Sequence, residues 1–248
     1  MKPLRTTAMI VILAIISLAS PTRAADQAYT DQAYTTSSAD TLVKNALNKI
    51  ILNQNRPRMI ANTRHETNIY DPNAYHNNQN PWQTTVKNEV VVGYPKLEGL
   101  NAISIYGALV NKFEFSYENR DQIKIVSDRE CVVIKFKPKS GLPVVTASDN
   151  TLNRLTGYIY IDRKSGSMVA INGWADTSKE PIYFTYYVLG FLPLYVSIYT
   201  LDFWVDYTTV NGMDLEHYLG GTTEYKTSGI WNRPRRVEKH EYVFSNYR

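Results

Sequence analysis

The stretch that most constrains this chain runs from Gly157 to Tyr207. GYIYIDRKSGSMVAINGW reads as a strand, a polar turn closed at Gly166, and a return strand. A long uncharged run follows, and then VSIYTLDFWVDY, where Tyr199, Leu201, Phe203, Val205 and Tyr207 share one face while Thr200, Asp202 and Asp206 fall on the other. Side chains alternate with a period of two only along a strand, so this pattern predicts a half-buried antiparallel strand. A sheet with one apolar face must cover it with a helix, a second sheet or a ligand.

The rest of the chain supplies partners for that strand. From Val90 onward VVVGY, KFEFSY, DQIKIVS and CVVIKFKPK have strand composition between polar or Pro/Gly breaks. Ile134 and Phe136 share a face in the last of these, with Val132. Asn211-Gly212 between FWVDYTTV and MDLEHYLGG is a hairpin signal. VEKHEYVFSNY forms a final strand with His240, Tyr242 and Phe244 on one face. A single helix is predicted over 38–56: Ser38 caps it, Asp40 sits in its first turn, and Val43, Leu47, Ile50 and Gln54 keep helical spacing until Pro57 ends it. Residues 62–88, rich in Asn, Pro and Thr, read as a long polar loop containing His65 and His76, and residues 138–154 as an irregular connection. The fold class is therefore mainly β with a helix, an open antiparallel sheet of eight to eleven strands with the helix packed on its apolar face.

The N-terminus points to export. Lys2 and Arg5 precede the apolar run Ala8–Leu18, and Pro21 with Thr22-Arg23-Ala24 suits a signal cut after Ala24. The boundaries that follow are a signal at 1–24, a flexible lead-in at 25–37 containing a tandem DQAYT repeat, and one domain at 38–248. The formal charge of +4 falls to about +1 when Lys2, Arg5 and Arg23 leave with the signal. Nothing in that balance favours nucleic acid. Cys131, the lone cysteine, can form no internal disulfide and reads as a small buried strand residue.

Catalytic patterns are missing. There is no GxSxG, HExxH, paired CxxC or P-loop. His217 and His240 read as strand positions. Asp202 and Asp206 read as solvated carboxylates on the polar side of an alternating strand, and Arg233, Arg235 and Arg236 as a solvated hairpin tip. The uncharged Ile182–Leu201 is long enough to span a bilayer, but Gly190 and Pro193 interrupt it. Core packing, a mobile apolar lid bent at those two residues, and a membrane span remain alternatives for it.

FKPKSG, the hairpin GYIYIDRKSGSMVAING, the alternating strand and the C-terminal HEYVFSNYR resemble exported proteins related to the periplasmic lipoprotein carrier LolA. The resemblance rests on Gly157, Tyr160, Ile161, Asp162, Gly166 and the aromatic strand Tyr242–Tyr247, and covers about residues 130–248. It implies a half-barrel sheet covered by helices, with a cavity for acyl chains between them. The expectation is then a non-catalytic, monomeric periplasmic carrier or binding protein for an acylated or other apolar ligand, serving lipoprotein or lipid traffic to the outer membrane. It needs no cofactor and no metal. The alternative is an envelope module that senses lipid or binds a protein partner. The ligand-lining candidates are Ile134, Phe136, Phe184, Phe191, Leu192, Tyr199, Leu201, Phe203, Val205, Tyr207, Tyr242 and Phe244.

Overall fold

A computed structural model describes residues 37–54, 60–70, 80–92, 110–119, 122–145, 147–188, 192–211, 213–229 and 233–247. The expected signal at 1–24, His76 and Phe191 lie outside these residues. Helix α1 covers Ala39–Gln54. The strands are β1 (Ile60–Tyr70), β2 (Trp82–Val92), β3 (Phe113–Tyr117), β4 (Ile123–Val126), β5 (Arg129–Pro138), β6 (Leu155–Asp162), β7 (Met168–Ala175), β8 (Ile182–Val188), β9 (Leu192–Val210), β10 (Met213–Gly229) and β11 (Arg236–Ser245), with a short helix α2 (Ala147–Leu152) between β5 and β6.

All eleven strands join one antiparallel sheet in the order β2-β1-β11-β10-β9-β7-β6-β5-β3, with β4 on β5 and β8 on β9. The sheet does not close, and the architecture is the mainly-β open half-barrel that the resemblance implies. Several sequence signals become visible turns. The Asp162 side chain accepts the backbone N–H groups of Lys164 and Ser165, and Gly166 adopts φ 66° to close the β6–β7 turn. Val210 pairs with Met213, and Asn211 between them adopts φ 53°.

Helix α1 begins as its sequence dictates. The Ser38 hydroxyl accepts the Thr41 N–H at 3.2 Å and the Ser38 carbonyl accepts the Leu42 N–H at 3.1 Å. Leu42, Val43, Ala46, Leu47 and Ile50 are fully buried and join one apolar cluster with strand residues from β3 to β11. The Tyr117 hydroxyl holds the Ser37 carbonyl at 2.8 Å, and the Lys49 ammonium reaches the Ser165 carbonyl in the β6–β7 turn. The face of the sheet that carries α1 is called the inner face below.

Three sequence expectations change. Residues 62–88 are not a long loop: most of the stretch lies in β1 and β2, which pair over eleven positions, Ile60↔Val92 to Tyr70↔Trp82. The irregular stretch 138–154 contains α2, in which Asp149 pairs with Lys112 and accepts the Val145 N–H. The uncharged segment forms strand β8 and the first half of β9, paired from Ile182↔Ile198 to Val188↔Leu192. Ile182, Phe184, Leu194, Val196 and Ile198 are buried while Tyr183 and Tyr195 are exposed. This is a two-stranded extension of the sheet, and its inward-facing described residues are buried as core packing expects; Gly190 and Phe191 lie outside the described residues.

Candidate functional site

The inner face is best followed across the strands. One row of paired residues runs Phe115, Phe136, Gly157, Gly173, Phe203, Gly221, His240 and Thr67, from β3 to β1. The next runs Tyr117, Ile134, Ile159, Ile171, Val205, Leu219, Tyr242 and His65. Both rows are apolar as far as β10 and turn polar and aromatic at β11 and β1. A third row repeats the change, with Leu201 opposite Thr223 and Thr223 opposite Glu238.

The apolar half is tightly built. A Cβ on Gly173 would lie 2.6 Å from Cε1 of Phe203, and one on Gly157 would lie 2.8 Å from Cε1 of Phe136. The two phenyl rings therefore lie over the paired glycines, and side chains on the neighbouring strands fill the space that the glycines leave. The border of the cluster is lined by part-buried residues, namely Tyr117, Tyr225, Tyr242, Tyr247 and Val110. A tyrosine presents an apolar ring to the core and a hydroxyl to the outside.

Most ligand-lining candidates reach this interior. Ile134, Phe136, Phe184, Leu201, Phe203, Val205, Tyr207 and Phe244 are buried in the cluster, and Tyr242 packs at its edge. Leu192 is half-buried at the start of β9. Tyr199 leaves the group. Thr200 pairs with Glu224 and Ile198 with Tyr225, so Tyr199 is an extra residue on β9, a β-bulge. The bulge switches the strand's phase: Leu194, Val196 and Ile198 face in before it, Leu201, Phe203 and Val205 after it. The Tyr199 ring instead lies under the Arg235 guanidinium, 3.8 Å from carbon to ring centre, and Arg235 pairs with Glu224 at 2.6 Å. Arg235 is thus engaged rather than simply solvated.

The polar half was hidden inside what reads as a loop and a plain strand. His65 stacks on Tyr242 with ring centres 3.9 Å apart, and its Nε2 lies 3.4 Å from His240 Nδ1. The Thr67 hydroxyl sits between them, 3.0 Å from His65 Nε2 and 3.2 Å from His240 Nδ1. Burial, then the adjacent His240 and Lys87, holds the His65 imidazole down at about 4, so it is neutral at physiological pH. The Tyr225 hydroxyl donates to Glu238 at 2.6 Å, and burial together with that carboxyl raises the phenol. His240 Nε2 stands 3.6 Å from Glu238, beyond hydrogen-bond reach, and makes no hydrogen bond. The buried hydroxyls of Thr223 and Thr63 on the same face make none either.

The outer face carries a different set. Tyr160 and Trp204 pack over Cys131, Val133, Val169 and Ala170, and Trp174 lies against Tyr158. Asp202 and Asp206 do lie on this face, but they are half-buried rather than solvated. Burial raises both carboxyls, and Asp206 accepts the Trp204 indole N–H. The second bulge, at His217 on β10, places His217 Nδ1 3.2 Å from the Phe244 carbonyl.

No family model and no curated protein matches the chain. Among solved structures it is similar to a domain from Vibrio parahaemolyticus described as an outer membrane lipoprotein-sorting protein, at 8% identity over 85% of this chain and 91% of that one, with a TM-score of 0.37. It is also similar to a DUF1329 family protein from Desulfovibrio piger, at 7% identity over 86% and 93%, TM-score 0.39. The MucA/MucB complex of Pseudomonas aeruginosa aligns at 9% identity over 84% and 94%, TM-score 0.30.

Proposed function

We propose that this protein is a non-catalytic periplasmic binding or carrier protein that takes an acylated or other apolar ligand against the inner face of its sheet. The observation behind this reading is one continuous apolar cluster, spanning α1 and the strands from β3 to β11, whose border carries four part-buried tyrosines. Among the described residues a single long helix lies on that face. A helix is about 10–12 Å wide, whereas strands spaced about 4.8 Å apart make an arc several times wider. An acyl chain entering past the tyrosine border would gain about 0.8 kcal/mol for each CH2 it buries.

Lipid extraction from natively purified protein followed by mass spectrometry tests this directly. A stoichiometric acyl species, together with saturable uptake of a fluorescent fatty-acyl probe, is the expected result. Delipidated protein that is folded and takes up no probe would overturn the reading.

A second reading, an envelope module that binds a protein partner, draws on the outer face. Trp174 there is 37% exposed. A stable complex that survives purification without lipid would favour it.

A further inference from the structure

Building on the apolar-ligand reading, we propose that Thr223, Glu238 and His240 form a polar subsite that receives the neutral, hydroxyl-bearing head group of an acyl lipid. Leu201 and Phe203 are buried, so the lipid's chain would insert between them and the side chains packed on them.

The first ground is unmet hydrogen bonding. Thr223 is 1% exposed and His240 7% exposed, and neither the Thr223 hydroxyl nor His240 Nε2 has a hydrogen-bond partner. Buried polar atoms are nearly always paired, and these two belong to adjacent rows on the same face. Thr223 is the cross-strand partner of Glu238, and His240 that of Gly221.

The second ground is placement. Thr223 pairs with Leu201 on its other side, and Gly221 pairs with Phe203. Apolar and polar lining thus meet along β10, and Gly221 puts no side chain between the Phe203 ring and His240. A chain lying over β9 would bring its head to β11, two strand spacings or about 10 Å away.

The third ground selects the chemistry. Glu238 already accepts the Tyr225 hydroxyl, and Arg236 stands two residues along the same face of β11. An anionic head would meet Glu238, and a cationic one would meet Arg236. A hydroxyl suits both orphaned atoms, because it can donate to or accept from an imidazole nitrogen in either tautomer and can pair with a threonine hydroxyl.

The test is competition against a bound fluorescent fatty-acyl probe by 1-monooleoylglycerol, methyl oleate and oleate, which share one chain and differ in the head. Monooleoylglycerol is expected to displace the probe at about tenfold lower concentration than methyl oleate, the worth of roughly one or two net hydrogen bonds. Thr223→Val should erase most of that preference. The isosteric change removes an unpaired buried hydroxyl, so its melting temperature should hold or rise, which serves as the folding control. His240→Phe supplies an independent second variant. Equal competition by monooleoylglycerol and methyl oleate, or a preference for oleate, rejects the subsite while leaving apolar binding intact. Probe uptake that is absent altogether rejects both.

Discussion

Replacing Gly157 with alanine isolates the demand that the inner face makes on its glycines. Gly157 and Gly173 are cross-strand partners on β6 and β7. Neither has positive φ among the backbone outliers, so alanine meets no conformational obstacle and gains the usual 0.4–1 kcal/mol or so from a less flexible unfolded chain. Space decides the sign. A methyl at 157 would lie 2.0 Å from the Asn172 carbonyl oxygen and 2.6 Å from the Gly173 Cα. Those atoms are backbone of the paired strand, and no rotamer moves them. A methyl at 173 meets side chains instead, Phe203 at 2.6 and 2.7 Å and Phe136 at 3.1 Å. Overpacking typically costs about 1–3 kcal/mol, so Gly173→Ala should fall within that range and Gly157→Ala at or above about 3 kcal/mol. Phe203→Ala alone should cost about 3–5 kcal/mol. Combined with Gly173→Ala it should cost less than the sum by about 1–2 kcal/mol, because the methyl then enters the vacated space. Combined with Gly157→Ala it should show no such relief. Urea unfolding followed by tryptophan fluorescence gives all five stabilities. Gly157→Ala within about 0.5 kcal/mol of the parent, or strict additivity at position 173, would refute the packing argument.

Two further expectations concern buried titratable groups. Glu216 lies opposite Tyr207 at the end of β10, and burial pushes its carboxyl up to about 7. The folded state then holds a proton that the unfolded chain releases near 4.5, so stability falls as pH rises from about 4.5 to 7 and is level above. Glu216→Gln should therefore gain about 3 kcal/mol on the parent between pH 5 and pH 8, and a difference that stays flat with pH in chemical denaturation would sink this. Cys131 is fully buried, and burial followed by Asp162 pushes its thiol up to about 11. At pH 8 about one molecule in a thousand carries the thiolate, so labelling by a thiol reagent should track global unfolding. Modification of the native protein within minutes would contradict its placement.

The sequence carried the apolar half of this sheet better than the polar half, for identifiable reasons. Alternation over Leu201–Tyr207 and the helical stripe of α1 were legible because each buries one face, which leaves a periodic mark. Strands β1 and β2 bury little on either side. Trp82, Val86 and Val90 are exposed on one face of β2, and Lys87 and Glu89 on the other. Such a pair reads as loop by composition, although Thr63, His65, Thr67 and Ile69 do alternate with Arg64, Glu66 and Asn68. By composition His65 therefore carries no strand signal, and neither does the polar cluster it completes. The misplacement of Tyr199 had a visible signal. Leu194, Val196 and Ile198 are even-numbered and Leu201, Phe203 and Val205 odd-numbered, a phase change that requires an extra residue between them.

The change of lining along β10 also divides the sheet by how firmly each strand's partner is specified. From β5 to β10 a slip of one residue would turn phenylalanine and isoleucine outward, at a cost that fixes the pairing. At β1 and β2 the same slip exchanges one polar set for another. The ladder on that side is held mainly by backbone hydrogen bonds and the His65–Thr67–His240 contacts. These strands are therefore the unit that can open while α1 and the glycine-paired strands stay closed. Native-state hydrogen exchange should find β1 and β2 releasing their amides at a fraction of the free energy needed to expose β6 and β7. The open form would uncover the inner-face polar groups of β11 before any of the apolar interior.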